Sequence, residues 1–352
     1  MKLFTVGPVE MTEEILRRGG EQLPYFRTED FSQVMRGIRE RFLALLDAPE
    51  GSEFVALTAA GTGAMEAAVV NVLDERDRCL IIDGGSFGHR FAEICALHGI
   101  PHTCISLPFG EALTKEHLSP FEGGDITALL VNIDETSTAQ LYDYRMLGDF
   151  CQRNGCLYIA DAVSTFLADE FSLAEGGVDA SITSSQKALA LPPGLSFVSL
   201  SPRVQKERIG RVPKRSYYFD FEDHLKNMER GQTPFTPAVG ILLQLQLRLE
   251  EIKSAAEEIR RHRERAEHFR ALCPAAGLTL PDYPMSNAVT ALLFPEGNAQ
   301  EVFETMKTRF GKMLTPSGGL LRDRLLRVGH IGALEIGDLT ELAEELRQVI
   351  LR

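Results

Sequence analysis

An α/β protein is expected: a large unit with a mainly parallel central sheet flanked by helices, followed by a smaller α+β unit. Two patterns carry this expectation. From Phe54 to Leu200, short apolar runs of strand length alternate with stretches of helical periodicity, the pattern of a sheet with helices on both faces. After Val239 the character changes to one long helical stretch and then short strands among helices. At 352 residues the chain has room for both units. The division is an arm at 1–10, a large domain at 11–240 and a small C-terminal domain at 241–352.

In chain order, the arm Leu3-Phe4-Thr5-Val6-Gly7-Pro8-Val9 precedes a short helix from Met11 to Leu23. Asp30 caps a helix to Leu46, with Phe31, Val34, Ile38, Phe42 and Leu45 at helical spacing. Phe54 to Thr58 is the first strand and Ala64 to Leu73 an Ala-rich helix. Cys79–Asp83 is a strand leading through Gly84-Gly85-Ser86-Phe87-Gly88-His89-Arg90 into a helix that ends near His98. A strand at Pro101–Leu107, a short helix at Thr114–Leu118, a buried strand at Ala128–Ile133 and a helix at Tyr144–Asn154 follow. Two buried strands come next, one ending at Asp161 and one at Val178–Thr183. Pro192-Pro193-Gly194 forces a turn before the returning strand Ser196–Leu200. Arg211–Arg215, with Pro213 inside it, is loop, and Tyr217-Tyr218-Phe219-Asp220-Phe221 either lines a pocket or packs at an interface. Val239–Cys273 is helical, apolar first and then charged from Glu250 to Arg265, where it offers a solvated face. Strand Ala288–Phe294, helix Ala299–Phe310, strands Lys312–Thr315 and Leu325–Gly329, and a last helix opened by Asp338-Leu339-Thr340-Glu341 complete the small domain.

The 44% hydrophobic and 25% charged residues are ordinary for a soluble globular protein. A formal net charge of -13 argues against nucleic acid and anionic membranes as partners. Six cysteines, at Cys79, Cys95, Cys104, Cys151, Cys156 and Cys273, make no CxxC pair and read as reduced core residues; no metal site is expected. No apolar run reaches the length of a membrane span, and Glu10 and Glu13 interrupt the start too early for a signal peptide. A cytoplasmic location is the expectation.

Three stretches carry chemistry. In Ser184-Ser185-Gln186-Lys187-Ala188-Leu189 a lysine follows a buried strand at the mouth of a sheet. Held out of bulk water its pKa falls, and the amine becomes a nucleophile able to form a Schiff base; otherwise it is one more solvated surface lysine. In Leu157-Tyr158-Ile159-Ala160-Asp161-Ala162-Val163-Ser164 a carboxylate ends an apolar strand, where it must be paired. Asp161 suits the pyridinium nitrogen of pyridoxal phosphate (PLP), which it would keep protonated, or else a helix cap or a loop ion pair. In Thr58-Ala59-Ala60-Gly61-Thr62-Gly63-Ala64-Met65 small residues enter a helix whose free N–H groups make a phosphate seat, or an ordinary helix start. Arg27 either faces the site or makes an ion pair. Arg327, between a Leu pair and Val328-Gly329, needs an anion, which is either a substrate carboxylate or a local acid such as Asp323. His330 is a helper or a packed neutral histidine.

Six motifs in order, Gly-Thr-Gly-Ala-Met-Glu-Ala-Ala from Gly61, Gly-Ser-Phe-Gly-His-Arg from Gly85, Asp-Glu-Thr-Ser-Thr from Asp134, Asp-Ala-Val-Ser from Asp161, Ser-Gln-Lys-Ala-Leu from Ser185 and Arg-Val-Gly-His-Ile-Gly from Arg327, resemble class V aminotransferases of PLP fold type I. The alanine–glyoxylate, serine–glyoxylate and 2-aminoethylphosphonate–pyruvate transaminases are the similar groups, and the likeness runs from Gly7-Pro8 to Gly332. It implies PLP on Lys187, Asp161 at the ring nitrogen, Phe87 and Val163 on opposite ring faces, and Thr136 near the ring oxygen or phosphate. Gly61, Thr62, Gly63 and Gln186 would hold the phosphate. Thr233 and Thr236 would come to it from the neighbouring subunit of a homodimer, although Thr236 before Pro237 also suits a helix start. Phe87 also fits as an ordinary core residue at its helix start. Arg327 would grip the substrate carboxylate, and Gly7 in the arm would lie near the substrate. The family pattern often has His two residues before the Glu and Gly after the last Thr; Ile133 and Ala139 stand there instead, which bears on substrate type. The reading is a transaminase that moves an amino group from a small donor, such as alanine, serine or 2-aminoethylphosphonate, to a 2-oxo acid such as pyruvate or glyoxylate. A lyase or desulfurase on the same fold is the alternative, with a non-catalytic PLP-binding protein behind it.

Overall fold

The computed structural model describes residues 1–351. Seven strands build the central sheet: β1 (Glu53–Leu57), β2 (Cys79–Asp83), β3 (His102–Ser106), β4 (Ala128–Asn132), β5 (Leu157–Asp161), β6 (Ala180–Ser184) and β7 (Ser196–Leu200). Their order across the sheet is β1-β7-β6-β5-β4-β2-β3. All pairs from β6 to β3 are parallel, and β7 runs antiparallel between β6 and β1. Ser196 pairs with Ser184 on one side and Leu57 on the other, so the return after Pro192-Pro193-Gly194 brings the end of β6 beside the end of β1.

Side chains alternate across this sheet because successive strand residues face opposite sides. Phe54, Phe197 and Tyr158 enter one core with Phe42 and Phe166; Val55, Leu57, Ile81, Ile159 and Ile182 enter the other. The Phe42 ring lies 5.1 Å from Phe54 and 4.9 Å from Phe197, and such pairs add to the plain burial of area. Helices cover both faces, as parallel strands require. On one side are α1 (Glu13–Gly19) and α2 (Glu29–Leu45); on the other, α3 (Gly61–Val72) and α4 (Ser86–Leu97).

The C-terminal part has its own core of Phe4, Phe269, Leu292, Phe303, Met306, Leu326 and Leu342. α5 (Val239–Glu251) leads to it but packs on α1 and α2, with Leu242, Leu245 and Leu249 in the core of the large sheet; the C-terminal part itself is built from α6 (Ala255–Leu272), α7 (Ala299–Arg309) and α8 (Ile336–Ile350). Its three-stranded sheet holds β8 (Val289–Leu293), β9 (Thr315–Pro316) and β10 (Leu325–Gly329), antiparallel with β10 in the middle. The arm belongs to it as well: Lys2–Leu3 pairs with Lys312–Met313, and Phe4 is fully buried.

Several boundaries differ from the sequence expectation, each for a hydrogen-bonding reason. Thr28, not Asp30, caps α2, its hydroxyl accepting the Phe31 amide at 3.3 Å. The first helix is shorter than Met11–Leu23 because Thr12 caps it and the chain turns at Gly20. The Val239–Cys273 stretch is two helices, since Ser254 caps a new one by accepting the Glu257 amide at 3.2 Å. Its charged half is not wholly a solvated face: Glu258 and His262 are buried, with Arg248 and Arg261 on the Glu258 carboxylate and His262 donating to the Leu167 carbonyl. Thr236 does not start a helix, because α5 begins at Val239. α3 starts three residues before Ala64, so Gly61, Thr62 and Gly63 are its first turn. The last helix opens at Ile336, with Glu335 and Asp338 in a reciprocal capping box.

Candidate active site

The candidate residues gather at the carboxyl ends of β1, β4, β5 and β6, where ligands of open α/β sheets bind. Lys187 follows β6 by three residues and is 8% exposed. Its Nζ donates to the Val6 carbonyl at 2.7 Å, so the arm reaches the lysine. Burial pulls this amine down to about 8, while Asp134 and Asp161 act in the opposite direction. Gly7 has φ +137, and a Cβ there would lie 2.9 Å from Lys187 Cδ; a side chain would push the arm off the lysine.

Asp161 ends β5 fully enclosed and accepts the Val163 amide at 2.8 Å. Burial raises it to about 6, against the lowering effects of the Val163 amide and the Lys187 charge. The loop after Asp161 turns Val163 towards α3: a Cβ on Gly61 would meet Val163 Cγ2 at 3.1 Å and Ser184 Oγ at 3.6 Å. The first turn of α3 thus lies beside Ser184 and Val163, and with its N-cap Ala60 lacking a side-chain cap the Gly61 and Thr62 amides have no partner within the helix. Ser184 Oγ, at this place, and Gln186 Oε1, two residues further on, are buried oxygens with no hydrogen-bond partner.

Arg90 was not singled out in the sequence. Its Nη1 donates to Thr62 Oγ1 at 2.8 Å and its guanidinium sits 4.9 Å from the Phe87 ring centre, tying α4 to the start of α3. Phe87 is half-buried at that helix start. Thr136 is buried with its hydroxyl 2.7 Å from Ser164 Oγ, beyond the end of β4.

Arg327 lies on β10 and reaches across to the large sheet. Nη1 donates to the Thr136 carbonyl at 2.8 Å and Nη2 to the Pro316 carbonyl at 2.9 Å, while the buried Nε has no partner. Asp323 does not pair with it, and among the described residues no carboxylate does. It borders a cleft of about 690 Å³ with Ser86, Ser137, Thr138 and Phe109. Three other residues fall elsewhere. Arg27 makes no ion pair; it donates to the Gln232 side chain and the carbonyls of Thr233 and Pro234, fixing that turn. His330 is buried against Phe269, its Nε2 2.7 Å from Thr290 Oγ1, and burial holds it well below the usual histidine range. Thr233 turns its hydroxyl to the Phe235 carbonyl at 2.7 Å, and Thr236 is exposed on the outside of the chain.

The model for the aminotransferase class-V family matches residues 24–311. The chain belongs to the class V aminotransferases. It is similar to the L-aspartate–glyoxylate aminotransferase of Paracoccus denitrificans, at 30% identity over 94% of this chain and 86% of that protein. A Synechococcus protein named as the small subunit of a soluble hydrogenase is 31% identical over 99% of this chain and 92% of its own length. Among solved structures, the aspartate aminotransferase of subgroup IV from Thermus thermophilus superposes with a TM-score of 0.92 at 30% identity, covering 99% of each chain. The aminotransferase is thus a PLP-dependent transaminase with the type I fold. The groove between α3, Val163 and Lys187 fits that cofactor. It offers an amine, a buried acid, amides at a helix start and two polar oxygens still lacking partners. Among the described residues no helix is long and apolar enough to cross a membrane, and no group of His, Cys, Asp or Glu is arranged to hold a metal.

Proposed function

We propose that the aminotransferase moves an amino group from a small amino donor to a 2-oxo acid such as pyruvate or glyoxylate, with Lys187 as the cofactor lysine. The observation that carries this is the buried Lys187 amine after β6, the buried Asp161 carboxyl at the end of β5 and the first turn of α3, all at the carboxyl ends of the central strands. PLP, when bound, supplies the carbonyl that takes up the amino group and the ring that draws electrons from Cα. Asp161 would hold the proton on the ring nitrogen. Gly61, Thr62, Gly63, Ser184 and Gln186 would hold the phosphate, and Phe87 and Val163 would lie against the ring. Lys187 Nζ, its pKa lowered by burial to about 8, would serve as the base that takes the proton from the substrate Cα. Arg327 presents Nε and its remaining N–H groups to the substrate carboxylate in a fork, its two carbonyl contacts holding the plane in place.

The same reading makes the enzyme a cytoplasmic homodimer with residues 1–10 as arm, 11–240 as large domain and 241–352 as small domain. Exposed Thr236 beside Phe235, Tyr218 and the 87%-exposed Tyr217 supports a second subunit there, since such aromatic surface favours burial. Relatives named for aspartate–glyoxylate and serine–glyoxylate transamination favour glyoxylate as acceptor. Borohydride reduction with peptide mass mapping tests the lysine: an adduct on Lys187 is expected, and one on another lysine ends the assignment. A panel of amino donors, followed by the change in cofactor absorbance, then identifies the substrates.

A further inference from the structure

The cleft that Arg327 borders is roomy for a donor as small as alanine. At about 690 Å³ it lies in the range of pockets that enclose whole small ligands. Among the described residues its wall carries charge at two places only. Arg327 is the one cation and Asp83 the one acid, and His89 Nδ1 meets that acid at 2.9 Å. Other groups that could hold an anion are already taken. Ser137 Oγ donates to the Glu135 carboxylate, and Thr138 Oγ1 donates to the Glu135 carbonyl at 3.2 Å. The start of α4 opens here too, yet its amides have partners: Ser86 donates to Ser137 Oγ at 3.1 Å, and Phe87 and Gly88 donate to the Glu135 carboxylate at 3.4 and 2.9 Å. A second carboxylate on the substrate would leave water here with no cation to meet it, which is costly.

The rest of the wall offers apolar surface. Phe109 stands just past β3, edge-on to Tyr283 with ring centres 6.4 Å apart, and is 42% exposed. Leu320 lies on the helical turn Gly319–Leu321 between β9 and β10 and is 97% exposed. The first side chain comes from the large sheet's side and the second from the small sheet's, and both line this cleft together with Leu107 and Leu321. A single exposed Leu or Phe on a convex surface is ordinary. Several on one concave wall, beside the seat of a charged group, form a place where an apolar substrate group leaves water and covers them in turn.

We propose that the amino donor carries one carboxylate and an uncharged, apolar side chain longer than the methyl of alanine, seated among Leu107, Phe109 and Leu320. The proposal rests on the reading of Arg327 as the seat of the substrate carboxylate and narrows the donor. With the carboxylate on Arg327 and the amino group turned to Lys187, the side chain has the rest of the cleft. Leucine meets this description and aspartate does not. Two similar proteins are named for aspartate, but at 30% identity the wall that faces the side chain is free to differ.

The test uses the holoenzyme with L-leucine, L-alanine and L-aspartate. The second-order rate constant for taking the amino group from each donor is read from the change in cofactor absorbance. Leucine should exceed aspartate by about a hundredfold and alanine by about tenfold. Phe109→Ala and Leu320→Ala should each lower the leucine-to-alanine ratio by about three- to tenfold, because apolar contact is lost from the longer side chain alone. Leu320→Arg places a cation on the wall and should raise the rate with aspartate by about tenfold. Leucine no faster than aspartate in the wild type, or a leucine-to-alanine ratio unmoved in both alanine variants, overturns the proposal. Arg327→Lys keeps the two readings apart. A loss shared by all three donors supports the carboxylate seat. Rates that stay in place remove that seat, while the ratio in the Phe109 and Leu320 variants still reports on the apolar wall.

Discussion

The Lys187 pocket and the Thr233–Pro237 segment are both expected to hold one cofactor, yet a single chain treats them differently. Around Lys187 everything is enclosed by the chain's own elements: the arm carbonyl, the ends of β5 and β6, the hairpin after β4 and Arg327 from the small sheet. The Thr233–Pro237 turn is fixed in shape by Arg27, but Thr236 faces outward and touches none of these groups. The first region is set for chemistry within one chain. The second has shape without a target, as expected of a piece that completes a neighbour's site.

Substitutions widen or close that contrast. Lys187→Ala should have the largest effect, lowering transamination by about a thousandfold or more while PLP still binds non-covalently. Stopped-flow rates and retention of PLP on a desalting column would check both halves. Asp161→Asn should cost about a hundred- to a thousandfold in turnover, since a charge-stabilising group is lost from a water-poor site. It should also stabilise the cofactor-free protein. Burial raises the folded Asp161 from 3.8 to about 6, so its contribution to stability falls as pH rises through that window. The Asn variant should gain up to ~3 kcal/mol over the wild type above about pH 6 and almost none near pH 4, as measured by urea unfolding.

Arg327→Lys comes next. A lysine cannot make the fork and cannot hold both the Thr136 and Pro316 carbonyls, so KM for the 2-oxo acid should rise by about ten- to a hundredfold with a smaller change in kcat. Equal loss of kcat at unchanged KM would place the substrate carboxylate elsewhere. Thr236→Ala should weaken PLP by about one decade and up to two, through one lost hydrogen bond to a charged group. Mixing it with Lys187→Ala chains sharpens the comparison. In the heterodimer one site carries both lesions and the other neither, so activity should rise above that of either parent. No recovery despite proven heterodimers would show that each chain completes its own site. The smallest effect belongs to Ala139→Gly: Ala139 has φ 67, and relief of that strain should stabilise the fold by about 1 kcal/mol, seen as a higher Tm.

Much of this was legible in the residues. Cys79–Asp83, Ser196–Leu200, Leu325–Gly329 and helix Tyr144–Asn154 lie where their apolar periods and flanking turns place them, because burial on a sheet face or helix stripe is written locally. The alternation of strand and helix likewise predicts the parallel sheet, and with it the end at which Lys187, Asp161 and the Gly61 turn must meet. Caps were less legible. Thr28 and Asp30, or Glu335 and Asp338, are near-equal candidates until one side chain finds an amide.

What the tertiary structure alone decided are the partnerships between segments far apart in the chain. Arg327 had an acid four residues away, at Asp323, yet its guanidinium crosses to the carbonyl of Thr136, 191 positions distant. His330 became a packed neutral ring because β10 carries it inward against Phe269, and Arg27 settled a remote turn instead of an ion pair. Asp134 and Glu135 are neighbours with the same charge, and sequence offers no reason to separate them. Alternation along the strand sends Glu135 to the amides at the start of α4 and turns Asp134 the other way, into the interior with nothing on its oxygens. Local periodicity sets which groups are buried; the company a buried charge keeps is settled only when the elements pack.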